Sequence, residues 1–141
     1  MPNLCMSADK IDDIVYILKA LSNNHALSLF RAIAIEKREP DPLRTELKLT
    51  PKQYYSRMRA LSKSNLVKKK EGILSLTSFG KLVYDAQLTI EKGLDNLVKL
   101  KVIDSLEAST ALSKEECNNI VNSLIQNQEI KTILEKKLST K

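Results

Sequence analysis

The chain has 141 residues, 43% apolar and 28% charged, which is the balance of one folded domain with an extension and argues against a disordered chain. Three glycines, four prolines, no tryptophan and only six Phe and Tyr leave the core to Leu, Ile, Val, Ala and Met, and favour helices over an all-β fold. The net charge of +6 is concentrated: residues 44–70 hold nine Lys/Arg against the single acid Glu46, while the other positions carry 14 basic and 16 acidic residues.

The elements follow in chain order. Ser7 is a good N-cap, and Ile11, Ile14, Val15, Ile17, Leu18 and Leu21 recur at helical spacing, predicting a first helix to about Leu21. Asn23 or Asn24 can cap a second helix with Leu27, Phe30, Ile33 and Ala34 on one face, fading at Glu36-Lys37-Arg38-Glu39. Pro40-Asp41-Pro42 breaks the pattern, and Asp41 is positioned to cap a short helix over 43–48 with Pro42 as its first residue. Leu49 and Thr50 form a tight connection, with Thr50 as N-cap and Pro51 opening a helix to about Ser64. Two short helices joined so closely form a helix–turn–helix unit.

The last of these helices divides by face at about 100° per residue. Tyr54, Met58 and Leu61 point inward, while Lys52, Ser56, Arg59 and Lys63 lie opposite, flanked by Gln53 and Tyr55. These polar groups suit base edges in a major groove, although an ordinary amphipathic helix also has a polar exterior. Strand-like runs 66–70 and 73–76 flank Glu71-Gly72, a two-residue hairpin signal, and Lys68, Lys69 and Lys70 approach the tip. A basic hairpin directly after a helix–turn–helix is a wing. The fold class is therefore mainly α with a small β-hairpin: a winged helix–turn–helix domain over 7–88, followed by a helical extension over 77–138.

Thr77 can cap a long helix running from Ser78 toward Leu106, about 43 Å if unbroken, with Gly80 and Gly93 weakening it. Ala108-Ser109-Thr110 reads as a connection. Ser113 and Glu116 form a capping box that opens a last stretch carrying Ile120, Leu124, Ile125, Ile130, Ile133, Leu134 and Leu138, interrupted by Gln126-Asn127-Gln128. One small domain does not easily cover these apolar faces, so the helices after residue 77 are expected to pair with a second copy, with an antiparallel helical pair as one arrangement. The alternative is that this tail folds back over its own domain.

These residues resemble a known group. Leu21-Ser22-Asn23 with the helix over 27–35 is similar to the first part of the arsenic-repressor-like (ArsR) and related archaeal winged-helix regulators. The stretch from Leu49 to Leu61 resembles their recognition helix. Asn65-Leu66-Val67-Lys68 resembles their glycine-leucine-valine-lysine lead into the wing, with Asn65 in place of glycine, and Leu76-Thr77-Ser78-Phe79-Gly80 resembles the leucine-threonine-x-x-glycine that closes it. The resemblance covers about residues 9–88 and is specific to the superfamily. It implies double-stranded DNA as the partner. Lys52, Gln53, Tyr55, Ser56, Arg59 and Lys63 would then lie on the recognition helix, and Arg44, Thr50, Lys68, Lys69 and Lys70 at the wing and backbone. Metal-sensing members carry paired cysteines before the turn, where this chain has Pro42-Leu43-Arg44-Thr45-Glu46-Leu47, so metal sensing there is unsupported.

Catalytic chemistry is not indicated. His25 is the sole histidine, Cys5 and Cys117 lie far apart, and neither zinc spacing nor a Gly-rich phosphate loop occurs. Asp12-Asp13 and Glu115-Glu116 are neighbours on helices and face different directions. No cofactor is expected. The amino-terminal residues lack a signal-peptide pattern and no apolar run approaches the length of a membrane span, predicting a cytoplasmic, nucleoid-associated protein. The leading expectation is a dimeric transcriptional regulator. A winged-helix protein–protein adaptor and a non-specific architectural or RNA-binding protein remain as alternatives.

Overall fold

A computed structural model describes residues 8–109 and 111–135. The helices are α1 (Ala8–Leu21), α2 (Asn24–Ile35), α3 (Pro40–Glu46), α4 (Pro51–Lys63), α5 (Ser78–Asp95), α6 (Leu97–Ala108), α7 (Lys114–Leu124) and α8 (Gln128–Glu135); strands β1 (Val67–Lys70) and β2 (Ile73–Leu76) lie between α4 and α5. The expected mainly α, winged helix–turn–helix fold is present. The expected cap Ser7 and the apolar Leu138 lie outside the described residues. The chain divides into two compact units, residues 1–85 and 86–141.

In the first unit, α2 is the central helix. Asn23 Oδ1 accepts the His25 and Ala26 N–H groups at 2.9 and 3.2 Å, satisfying two amides that have no partner within the helix. Ala26, Leu29, Phe30 and Ile33 then form its buried face. With Leu43, Leu49, Tyr54, Met58, Leu61, Leu66, Val67, Leu74 and Leu76, the last three of these make one core. Phe30 meets Tyr84 edge-on, with ring centroids 6.1 Å apart.

The third helix begins earlier than its prolines suggest. Glu39 is the N-cap, with extended backbone and no capping side-chain bond, and Pro40 is the first helical residue, so Asp41 lies inside α3 and does not cap it. First-turn amides have no intrahelical acceptor, so neither proline removes a bond that the helix would otherwise make.

Helices α3 and α4 end alike. After α3, the Lys48 N–H donates to the Thr45 carbonyl and the Leu49 N–H to that of Arg44; after α4, the Asn65 N–H donates to Ser62 and the Leu66 N–H to Leu61. Both are Schellman caps, in which a left-handed residue turns the chain off the helix axis. Lys48 (φ 55°) and Asn65 (φ 62°) hold those positions. The substitution of asparagine for glycine at position 65 is thereby explained, since asparagine is the side chain that best tolerates this backbone.

The hairpin pairs Val67 with Leu76, Lys68 with Ser75, Lys69 with Leu74 and Lys70 with Ile73. Glu71 (φ 53°) and Gly72 (φ 80°) both have positive φ, the geometry of the two-residue turn that matches strand twist. A feature not evident from periodicity completes the sheet: Arg38 and Leu74 exchange backbone hydrogen bonds of 3.1 and 2.7 Å, adding a one-residue third strand.

The long helix expected after Thr77 is two helices. Asn96 lies between α5 and α6 with φ −110° and ψ 16°, and its side chain donates to the Lys92 carbonyl at 2.8 Å. The break falls at the asparagine, three residues beyond Gly93. In the second unit, Ile103, Ile125 and Ile130 form a small core against Leu100, Val121 and Leu124, and Lys92 pairs with Glu129. The Ser113–Glu116 capping box opens α7 as expected.

Candidate nucleic-acid interface

Helix α4 is held at its start by a reciprocal cap. Thr50 Oγ1 accepts the Gln53 N–H at 3.1 Å, and Gln53 Oε1 accepts the Thr50 N–H at 3.0 Å. Tyr54, Met58 and Leu61 anchor one face in the core, so the opposite face is fixed in direction, with Lys52, Tyr55, Ser56, Arg59, Ser62 and Lys63 exposed. Gln53 is half-buried and its amide oxygen is engaged. A bidentate contact to adenine needs both ends of an amide, so such a contact would compete with the cap.

Strand alternation divides the wing lysines. Residues directly opposite in an antiparallel pair share a face, so Lys69 goes with Val67, Leu74 and Leu76, while Lys68 and Lys70 go with Ser75 and Ile73. The cleft on the first face, about 580 Å³, is lined by Tyr55, Ser56, Arg59 and Ser62 of α4 and by Lys69 and Leu74 of the hairpin. Arg59 and Lys69 therefore approach one cleft from two elements, with no acid among its lining residues. Lys52 and Lys63 stand at the two ends of the same helix, about 17 Å apart along its axis.

The remaining basic residues differ in placement. Arg44 is half-buried on α3. Burial pushes the Tyr54 phenol above its ordinary pKa, Tyr55 and Asp41 add to that rise, and the Arg44 charge opposes it. Arg57 is half-buried, off the exposed face, and its Nε has no hydrogen-bond partner among the described residues. Glu46, the single acid of the basic segment, pairs with Arg38, so its charge is offset locally. Tyr54 and Tyr55 meet edge-on at 5.2 Å, which steadies the exposed Tyr55 ring.

Sequence reasoning missed Ser62 and Arg38. Ser62 was legible from its position, since it follows Tyr55 and Arg59 at helical spacing on the exposed face. Arg38 left no pattern to read, because a one-residue strand has no period. Thr50, expected near the backbone, is exposed and serves as the cap. His25 is half-buried in the first turn of α2, and Cys117 Sγ lies 3.9 Å from the Leu106 carbonyl oxygen. Among the described residues no cluster of His, Cys, Asp and Glu could hold a metal ion, and no helix is long and apolar enough to cross a membrane.

No protein-family model matches the chain, and no curated protein matches it significantly. Among solved structures, it is similar to the solution NMR structure of the homodimeric winged helix-turn-helix DNA-binding domain (fragment 1-100) of Mb0332 from Mycobacterium bovis, a possible ArsR-family transcriptional regulator. The TM-score is 0.54 at 20% identity, over 62% of this chain and 86% of that one. The likeness is one of fold.

Proposed function

We propose that this protein is a dimeric regulator of transcription that binds double-stranded DNA, with α4 in the major groove and the wing on the backbone or the adjacent minor groove. The observation that carries the reading is the acid-free cleft in which Arg59 and Lys69 converge from helix and wing. When a helix lies in one groove and a hairpin reaches the next, the intervening sugar–phosphate strand runs between them. Lys69, on the wing side of that space, suits a phosphate, and Arg59, on the helix side, suits the base edges beside it. Lys52, Tyr55, Ser56 and Arg59 offer the donors for reading bases, Gln53 adds its amide nitrogen, and Lys63, Lys68, Lys70, Arg44 and the Thr50 end of α4 supply backbone contacts. The winged-helix neighbour, itself a DNA-binding domain of a possible regulator, supports the same reading. The role is non-enzymatic and places the protein in the cytoplasm with the nucleoid.

Residues 7–88 act as the DNA-binding domain and 77–138 as the dimerisation region. Leu82, Ile90 and Leu94 on α5 are 65–70% exposed, and Val98 on α6 is 76% exposed. Among the described residues, a core of three buried isoleucines is small for a second unit that spans residues 86–141, and a second copy would cover this surface. Ile11, Ile14, Val15 and Leu18 on α1 add an exposed apolar stripe outside the expected segment. The neighbouring domain is homodimeric, in keeping with this arrangement.

The test is fluorescence anisotropy with labelled duplex from upstream of the protein's own coding sequence, competed with random duplex at two salt concentrations. A regulator prefers the specific duplex and shows a negative salt slope. Each phosphate contact removed should flatten that slope by about 0.9 per protomer. Arg59→Ala weakens binding mainly at the preferred site, whereas neutralising Lys68, Lys69 and Lys70 together weakens all DNA alike. Steep salt dependence without preference would point to an architectural protein, and no salt-dependent binding to an adaptor.

A further inference from the structure

The face of the wing turned away from α4 forms one side of a second cavity, about 820 Å³, within the first unit. Its walls come from the end of α2 and the residues after it (Ile33, Ile35, Lys37), from the hairpin (Lys68, Lys70, Ile73) and from α5 (Lys81, Tyr84). Four lysines thus line a space that contains only two acids, Glu36 and Glu71. None of the four is in an ion pair with a carboxylate of the described residues. The rest of the lining is largely apolar, and Ile35 is 73% exposed there.

We propose that this groove binds an amphipathic organic anion, a carboxylate with an aliphatic or aromatic body. The groove is complementary to such an anion in two ways. The excess of lysines selects a negative head group, and the Ile35, Ile73 and Tyr84 surfaces take an apolar body out of water. A nucleic-acid backbone satisfies only the first requirement. It offers charge without an apolar body, and a duplex seated on α4 meets the wing lysines from the other side of the hairpin, away from Lys37 and Lys81. Because Lys68 and Lys70 carry two of the wing's three positive charges, a bound carboxylate would offset one of them and lower affinity for DNA. This coupling rests on the DNA-binding reading; binding of the anion itself does not.

The experiment titrates the full chain with octanoate and, separately, with the neutral 1-octanol, following amide shifts by two-dimensional NMR. Octanoate is expected to move the amides of Ile35, Lys37, Ile73, Ser75 and Lys81 in a saturable way, and octanol to bind at least tenfold more weakly. Lys37→Ala with Lys81→Ala should weaken octanoate at least tenfold, while Lys69→Ala, the same charge change on the opposite face of the hairpin, should leave it unchanged. Octanoate shifts confined to the exposed apolar faces of α1, α5 and α6 would overturn the proposal, as would equal affinity for octanol or no effect of the double variant. Shifts of the groove amides by duplex DNA and not by octanoate would assign the lysines to DNA instead. DNA affinity, measured in parallel by anisotropy, separates failure of the groove from failure of the DNA-binding reading.

Discussion

Replacing Gly80 by alanine tests how the wing is joined to α5. A Cβ at Gly80 would lie 2.1 Å from the Leu66 carbonyl oxygen and 3.0 Å from its carbon, where ordinary carbon–oxygen contacts begin near about 3.3 Å. That carbonyl cannot retreat cheaply. It accepts the Thr77 N–H at 3.1 Å, the Leu66 side chain is fully buried, and the Leu66 N–H completes the Schellman cap of α4. The first turn of α5 must move instead, which loosens the cap in which Thr77 Oγ1 accepts the Gly80 N–H at 2.8 Å. Overpacking of this kind costs about 1–3 kcal/mol and a weakened cap about 1 kcal/mol more. The better helix propensity of alanine returns about 1 kcal/mol, leaving a net loss of about 1–3 kcal/mol. Each kcal/mol corresponds to about 4–8 °C in Tm for a unit of this size.

Gly93 is the internal control, because it lies in the same helix and a Cβ there meets nothing within 4 Å. Gly93→Ala should therefore stabilise, by about 0.5–1 kcal/mol. The assay is urea unfolding followed by near-ultraviolet circular dichroism, since all four tyrosines (Tyr16, Tyr54, Tyr55 and Tyr84) belong to the first unit and the chain has no tryptophan. For Gly93→Ala the far-ultraviolet helix signal is read as well. A Gly80→Ala protein as stable as the parent would refute the close approach of α5 to Leu66.

Other outcomes follow from the same geometry. Lys48→Gly and Glu71→Asn each relieve a side chain held at positive φ and should stabilise the first unit by about 0.5–1 kcal/mol in the same urea assay. Thr50→Ala removes half of the reciprocal cap on α4 and should cost about 1 kcal/mol, while amide exchange accelerates in the first turn of that helix. At α7, Glu116 accepts the Ser113 N–H, and the backbone and side chain of Ser113 hold its carboxyl below the usual glutamate range. Its folded pKa is thus lower than its unfolded one, so its contribution is present above the unfolded value and fades as pH falls through the folded value. Amide exchange at the start of α7 should accelerate on acidification, and Glu116→Gln should remove most of that pH dependence.

Much of the candidate interface was legible in one dimension because its signals are local. Thr50-Pro51 announces the start of α4, and Tyr54, Met58 and Leu61 at helical spacing determine which side of it faces outward. Glu71-Gly72 marks the turn, and the charge excess over 44–70 stands out from composition alone. These features need only helix period, proline and glycine chemistry, and a count of charges. The reading of Asp41 as a cap failed for an equally local reason, since two prolines within one first turn cost the helix no hydrogen bond.

What the linear chain could not reveal is which groups meet. Lys68, Lys69 and Lys70 read as one basic run, yet hairpin pairing sends Lys69 to the cleft with Arg59 and the other two to a separate groove with Lys37 and Lys81. The engagement of Gln53 in the cap, the pairing of Arg38 with Glu46 and Leu74, and the contact that requires glycine at position 80 depend likewise on tertiary packing. Sequence by itself determined the kind of fold and the place of its charge, because period, capping and composition are properties of neighbours along the chain. Only the tertiary structure decided how that charge divides between two surfaces, because the division depends on strand register and on elements brought together from distant parts of the sequence.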